Sequence, residues 1–154
     1  NTSTSKATGG TARQGLTGFS LNGFGYICNG QDIVGQSNEV NQYNDAANTW
    51  STKATGGTAR RVSTGFSLNG FGYICDGFNN VSTYYNEVNQ YNDAANTWST
   101  KATGGTARGF TSGFSLNNFG YICNGTTGAA TNEVNQYVQN SKDLTLIISL
   151  YTRE

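Results

Sequence analysis

One eight-residue block, Lys-Ala-Thr-Gly-Gly-Thr-Ala-Arg, occurs three times in the chain. Its copies are residues 6–13, 53–60 and 101–108, so the spacing is 47 and then 48 residues. Other segments recur with the same spacing, and the repeats are predicted at approximately 9–55, 56–103 and 104–150. A unit of this length cannot bury its apolar face alone, and it gains a core by stacking on its neighbours.

Each repeat has the pattern of four short strands. In the first repeat, Phe19 and Leu21 alternate with Ser20, as expected of a half-buried strand. Asn22-Gly23 is a strong hairpin signal, because both turn residues must accept positive φ. The four predicted strands are 17–21, 24–28, 39–43 and 49–54. No segment shows an apolar period of 3.6 residues, so the sequence predicts an all-β fold with almost no helix.

Four antiparallel strands in a period of 40–50 residues are typical of a β-propeller blade. The sequence resembles the kelch repeat in its strand-two, strand-three and strand-four motifs and in an Arg before strand one. The matching residues are Gly25-Tyr26-Ile27-Cys28-Asn29-Gly30, Tyr43-Asn44-Asp45, Asn48-Thr49-Trp50, and Arg13, Arg60 and Arg108. The resemblance implies a propeller segment of three kelch-like repeats and a protein that binds through loops at one end of the channel.

Three blades do not close a ring alone, since closed propellers usually have 4–8 blades. We expect the ring to be closed by a homo-oligomer, a dimer giving six blades, or by the remaining blades of a longer chain. Residues 1–8 are predicted to be an orphan fourth strand. Residues 141–154 are predicted to be a divergent C-terminal strand, which is too apolar to be left unpaired.

The repeats differ from one another in two places. One follows the Arg, and the other is the loop between strands two and three. Both lie on the same edge of an up-and-down blade, and loops on a rigid scaffold commonly carry binding. The predicted ligand-binding residues are Asp32, Arg61, Phe78, Tyr84, Tyr85 and Phe110, because aromatic and Arg side chains are typical anchors. The alternative is neutral drift of surface loops after duplication.

Composition excludes several classes of function. Nine Lys and Arg balance nine Asp and Glu, so there is no basic surface for nucleic acid. The longest apolar run, 144–151, is too short to span a bilayer. The chain has no His, which removes the ligand that the copper site of kelch-like oxidases needs. No catalytic cluster is readable, so we expect no enzyme activity, no metal and no cofactor.

Two sets of repeated residues are expected to be framework. Cys28, Cys75 and Cys123 occupy one apolar position and are interpreted as core thiols. Arg13, Arg60 and Arg108 are expected to tie neighbouring blades through carbonyls or through Glu39, Glu87 and Glu133.

The leading functional hypothesis is a non-catalytic recognition or adhesion module for a glycan or protein. The alternative is a structural unit that self-assembles into a filament, fibre or ring without a soluble ligand. The composition, rich in Gly, Asn, Ser and Thr, resembles that of bacterial surface proteins and phage tail-fibre proteins with such repeats. It favours a cell-surface, extracellular or virion-surface location.

Overall fold

The computed structural model describes residues 1–79 and 81–139, which form three antiparallel sheets without helices. Each sheet is an up-and-down meander whose neighbours in sequence are neighbours in the sheet. Blade 1 contains β1 (Thr17–Leu21), β2 (Phe24–Cys28), β3 (Val40–Asn44) and β4 (Thr49–Lys53). Blade 2 contains β5 (Thr64–Leu68), β6 (Phe71–Phe78), β7 (Tyr84–Asn92) and β8 (Thr97–Lys101). Blade 3 contains β9 (Ser112–Leu116), β10 (Phe119–Cys123) and β11 (Val134–Tyr137).

The first strands of the three blades stand side by side, as in an open propeller. A Cβ atom on Gly65 of β5 would lie 3.0 Å from the carbonyl oxygen of Gly18 in β1. One on Gly113 of β9 would lie 2.7 Å from Oγ1 of Thr64. The Ser67 hydroxyl donates to the carbonyl of Ser20, and the Ser115 hydroxyl donates to that of Ser67. The predicted all-β, open three-blade fold is confirmed.

The hairpin turns explain why each blade folds locally. Asn22 and Gly23 have φ values of 52° and 82°, as the sequence signal requires. Residues 1–8 contain no strand, so the orphan fourth strand that was predicted there is not formed. The predicted strand at 141–154 lies outside the described residues.

The hydrophobic cores lie between blades rather than within them. One core joins Phe19, Leu21 and Val40 of blade 1 to Ile74 and Tyr91 of blade 2. The other repeats this arrangement between blades 2 and 3. Cys28 and Cys75 are buried free thiols in these cores, whereas Cys123 is only half-buried because it lies in the last blade.

The repeated Arg side chains hold each incoming segment to its own blade. Arg13, Arg60 and Arg108 each place Nη1 2.8 Å from a glutamate of the same repeat, Glu39, Glu87 or Glu133. The expected glutamate partners are therefore confirmed. The hydrogen bonds that cross between blades at this position come instead from the main chain: Gly30 N–H donates to Arg60 C=O and Gly77 N–H to Arg108 C=O, both at 2.9 Å.

Candidate functional site

The divergent segments meet along one edge of the blades, which we call the loop edge. It comprises the β2–β3, β6–β7 and β10–β11 loops and the residues that enter β1, β5 and β9. In each repeat the entry segment forms one antiparallel bridge to the loop of the same blade. These bridges are Gln14–Gln31, Arg61–Phe78 and Gly109–Thr126. The backbone pairing is thus the same in all three blades, but the paired side chains differ. They are two amides in blade 1, a cation and an aromatic ring in blade 2, and a glycine and a hydroxyl group in blade 3.

Blade 2 carries an aromatic stack on this edge. The rings of Phe78 and Tyr84 lie 4.6 Å apart at an interplanar angle of 28°. The guanidinium carbon of Arg61 is 6.0 Å from the centre of the Phe78 ring, at the outer limit of a cation–π contact. The stack forms because β6 and β7 pair beyond a register shift between Cys75 and Gly77, which places Phe78 opposite Tyr84.

Phe110 of blade 3 extends the patch across the blade boundary. Its N–H donates to the carbonyl of Val62 at 2.8 Å, and its side chain is 58% exposed. Gly109 leaves room for the stack, since a Cβ atom there would lie 3.3 Å from Cβ of Phe78 and 3.5 Å from Cε1 of Tyr84. Arg61, Phe78 and Tyr84 are in ring contact, and Phe110 is joined to them through the main chain of Val62 and Gly109; we call these four residues the aromatic patch.

A strained backbone supports the aromatic patch. Val62 has φ of 51° and Phe110 has φ of 58°, a region that β-branched and bulky residues rarely adopt. The equivalent residue of blade 1 is Gly15, with φ of 65°. The Val62 N–H donates to the Gly15 carbonyl at 2.8 Å, so this position links one blade to the next. The sequence signal for this positive φ was Gly15, because a glycine at the equivalent position of another repeat indicates a left-handed backbone conformation.

Two predicted residues lie apart from the aromatic patch. Asp32 caps its own loop, where its Oδ1 accepts hydrogen bonds from the N–H groups of Val34 and Gly35 at 2.7 and 3.0 Å. It also lines a cavity of about 330 Å³ with Gln14 and Gln31 on blade 1. Tyr85 follows Tyr84 directly, and successive side chains of a strand point to opposite faces, so Tyr85 does not join the Phe78–Tyr84 stack.

Sequence reasoning missed a buried carboxylate behind the loop edge. Asp76 is fully buried at the blade 2–blade 3 boundary, and its Oδ2 lies 3.4 Å from Nε of Arg108. Neither carboxylate oxygen has a hydrogen bond among the described residues. Burial raises the pKa of Asp76 to about 7, although the charges of Arg108 and Arg60 act in the opposite direction. The sequence signal for this carboxylate was the comparison between repeats, since the other two carry Asn29 and Asn124 at the same position.

Within residues 1–79 and 81–139 no cluster of three Cys, Asp or Glu side chains has the arrangement of a metal site. Among those same residues no helix has the length and apolarity needed to cross a membrane. Comparison of the sequence with protein-family models gives no match, and comparison with curated proteins finds no significant relative.

Proposed function

We propose that this protein is a non-catalytic recognition module that binds a glycan or protein ligand at the loop edge. The observation that carries the proposal is the aromatic patch, which stands where the three repeats differ most. The Phe78–Tyr84 stack offers its outer aromatic surface to the apolar faces of a sugar ring, and Arg61 offers several donors to hydroxyl groups. The repeated backbone bridges beneath them supply a rigid base, which lowers the entropic cost of binding.

The cavity on blade 1 adds a second subsite to this proposal, with polar groups on a partly apolar lining. Gln14 and Gln31 contribute amides, and Asp32 contributes a carboxylate whose Oδ1 already accepts bonds within its loop. Planar polar side chains on the same edge as the aromatic patch suit the hydroxyl pattern of a glycan. Tyr85 stays a predicted ligand contact, although it does not belong to the aromatic patch.

Binding is tested with the complete 154-residue chain on an array of neutral and acidic oligosaccharides, followed by titration of any ligand found. Phe78→Ala is expected to weaken binding at least about tenfold, which is the loss of one aromatic anchor. Phe110→Gly separates binding from folding. It removes an exposed ring at a positive-φ position, so we expect a weaker complex and a chain that is no less stable.

Ala95→Ser, in an exposed turn at the opposite edge, is the control and should bind like the unmodified chain. A ligand whose affinity is unchanged by both Phe78→Ala and Phe110→Gly would overturn the assignment to this patch. Failure to bind any array glycan would exclude the glycan form, and a folded chain that also captures no protein from a displayed peptide library would exclude the recognition module.

A second candidate function is structural, namely a unit that self-assembles with its own kind into a ring, filament or fibre. It is favoured by Phe114, Leu116 and Val134 of blade 3, which are large apolar side chains left in solvent. The partner proposed is a second copy, giving a six-bladed ring, or the remaining blades of a longer chain. The kelch resemblance and a surface location also stay proposals, supported by the sequence motifs and composition.

A further inference from the structure

Every blade presents two different faces to its neighbours. The front face carries Phe, Leu and Val, which in blade 1 are Phe19, Leu21 and Val40. The back face carries Gly, Ile and Tyr, which in blade 2 are Gly72, Ile74 and Tyr91. At the blade 1–blade 2 boundary the Phe19 ring covers Gly72 so closely that a Cβ atom there would lie 2.3 Å from its Cε2 atom.

The same contact occurs a second time in the chain. The Phe66 ring of blade 2 covers Gly120 of blade 3, where a Cβ atom would again lie 2.3 Å from Cε2. Ile74 and Ile122 are both fully buried on the two back faces. The front and back faces are therefore shown to be complementary, twice and with the same residue types.

One front face and one back face of the chain are not covered by a neighbouring blade. On the front face of blade 3, Phe114, Leu116 and Val134 are 48%, 53% and 58% exposed, whereas their equivalents in blades 1 and 2 are at most 8% exposed. On the back face of blade 1, a Cβ atom on Gly25 would meet only Cβ of Tyr43, 3.9 Å away in the same blade.

The two open faces also carry the equivalents of a polar contact that occurs once in the chain, between blades 1 and 2. Between blades 1 and 2, the hydroxyl of Tyr26 donates to Oδ1 of Asp93 at 2.6 Å, and Asn22 donates to its Oδ2 at 3.2 Å. The front face of blade 3 carries the equivalent Tyr121 and Asn117. The back face of blade 1 carries the equivalent Asp45, whose exposed carboxylate is held by Lys6 at 2.9 Å.

Main-chain hydrogen bonds between blades also have open equivalents on the two uncovered faces. Gly30 and Gly77 donate to the carbonyls of Arg60 and Arg108 in the following blade. Among the described residues, the equivalent Gly125 N–H of blade 3 and the Arg13 carbonyl of blade 1 lack such a partner. The main-chain hydrogen bond that joins blades twice within the chain therefore has its donor open on blade 3 and its acceptor open on blade 1.

We infer that a second copy of this chain docks head to tail, with the front face of its blade 3 on the back face of blade 1 and the reverse contact on the other side. The Phe114 ring then covers Gly25, and Tyr121 and Asn117 donate to Asp45. Two copies supply six blades, a common number for a closed ring, and the heterologous contact ends there instead of propagating. This inference deepens the self-assembly proposal and does not depend on the ligand at the loop edge.

The test is native mass spectrometry with light scattering across a wide concentration series. The unmodified chain is expected to give a discrete species of twice the chain mass of 16.4 kDa. Gly25→Leu fills the space that Phe114 needs and should raise the dissociation constant at least about tenfold. Because Gly25 faces open space in the single chain, this variant should still fold.

Ala95→Leu also introduces a leucine, in an exposed turn of the middle blade, and serves as the control; its dissociation constant should be unchanged. Phe114→Ser removes the ring from the front face and should also give single chains. A mixture of Gly25→Leu with Phe114→Ser should recover a two-chain species, because one of its two interfaces is then unmodified on both sides.

That recovery distinguishes head-to-tail docking from a symmetric front-to-front contact, which Gly25→Leu would leave intact. A monodisperse single chain at all concentrations, or a dimer insensitive to Gly25→Leu, would overturn the inference. Neither result touches ligand binding, which is measured separately at the loop edge. Retention of the dimer with loss of every ligand would conversely exclude only the recognition proposal.

Discussion

One buried carboxylate, Asp76, is expected to destabilise the fold as the pH rises towards neutral. The pKa of Asp76 is raised by burial to about 7 in the folded chain, from near 4 in an unfolded one. The folded state therefore binds more protons than the unfolded state between these values. The contribution of Asp76 to stability is fully present below its unfolded pKa and is lost as the pH rises through about 7. Arg108, Arg60 and Glu133 are the charges that act on Asp76.

Asp76→Asn is expected to remove this fall, since Asn occupies the equivalent position in the other two repeats. At slightly alkaline pH the variant should be more stable by roughly 2–4 kcal/mol, because no buried charge has to form. Urea unfolding at a series of pH values measures the effect. Asn29→Asp is the reverse change in blade 1 and should deepen the fall; an unaltered slope in Asp76→Asn would contradict the assignment.

At the scale of elements, strand packing depends on glycines whose neighbours differ from blade to blade. Gly72→Ala places a methyl group in the ring of Phe19, so the unfolding free energy should drop by about 1–3 kcal/mol. Gly25→Ala is the same change in a strand without a covering blade. At concentrations where chains are separate, it should cost less than about 0.5 kcal/mol. Chemical denaturation of both variants checks this, and equal losses would argue against packing of Phe19 on Gly72.

The elements were also the part of the structure that the sequence predicted best. Residues 17–21 and 24–28 are strands as expected, because alternation and the Asn22-Gly23 turn act locally. The third strand begins at Val40 instead of Glu39. The extra length of β6 and β7 could not be predicted, because it depends on a register shift and on Phe78 meeting Tyr84.

The sequence predicted on which edge of the blades the candidate site lies, but not which side chains are in contact there. Strand order places the divergent loops together, so Arg61 and Phe78 were expected on one side of the molecule. Which of them touch depends on individual side-chain directions, and this is why Tyr84 joins the patch while Tyr85 does not. The role of Arg13, Arg60 and Arg108 was half right: each pairs with a glutamate of its own repeat, and the contacts between blades are main-chain hydrogen bonds together with the Arg108–Asp76 ion pair.

At the scale of the whole molecule, the position of the cores links stability to assembly. Three blades enclose two cores, so a separate chain leaves one front face and one back face in water. Burying a large apolar side chain contributes about 1.5–3 kcal/mol, so covering Phe114, Leu116 and Val134 is a sizeable fraction of the stability of a small domain.

The melting temperature should therefore rise with protein concentration, because association stabilises the folded state by mass action. Calorimetry over a concentration series measures the shift. Gly25→Leu should make the melting temperature independent of concentration, while Ala95→Leu should behave like the unmodified chain. A concentration-independent transition in the unmodified chain would mean that its end faces stay uncovered.

The likeness of every front face to every other has a consequence for how such a protein changes over generations. Gain or loss of a whole repeat would create a junction between the same two faces, a contact that the chain already contains twice. Blade number can then vary without any new fit having to evolve. Meanwhile the loop edge, which takes no part in these junctions apart from its backbone, is free to diversify one repeat at a time.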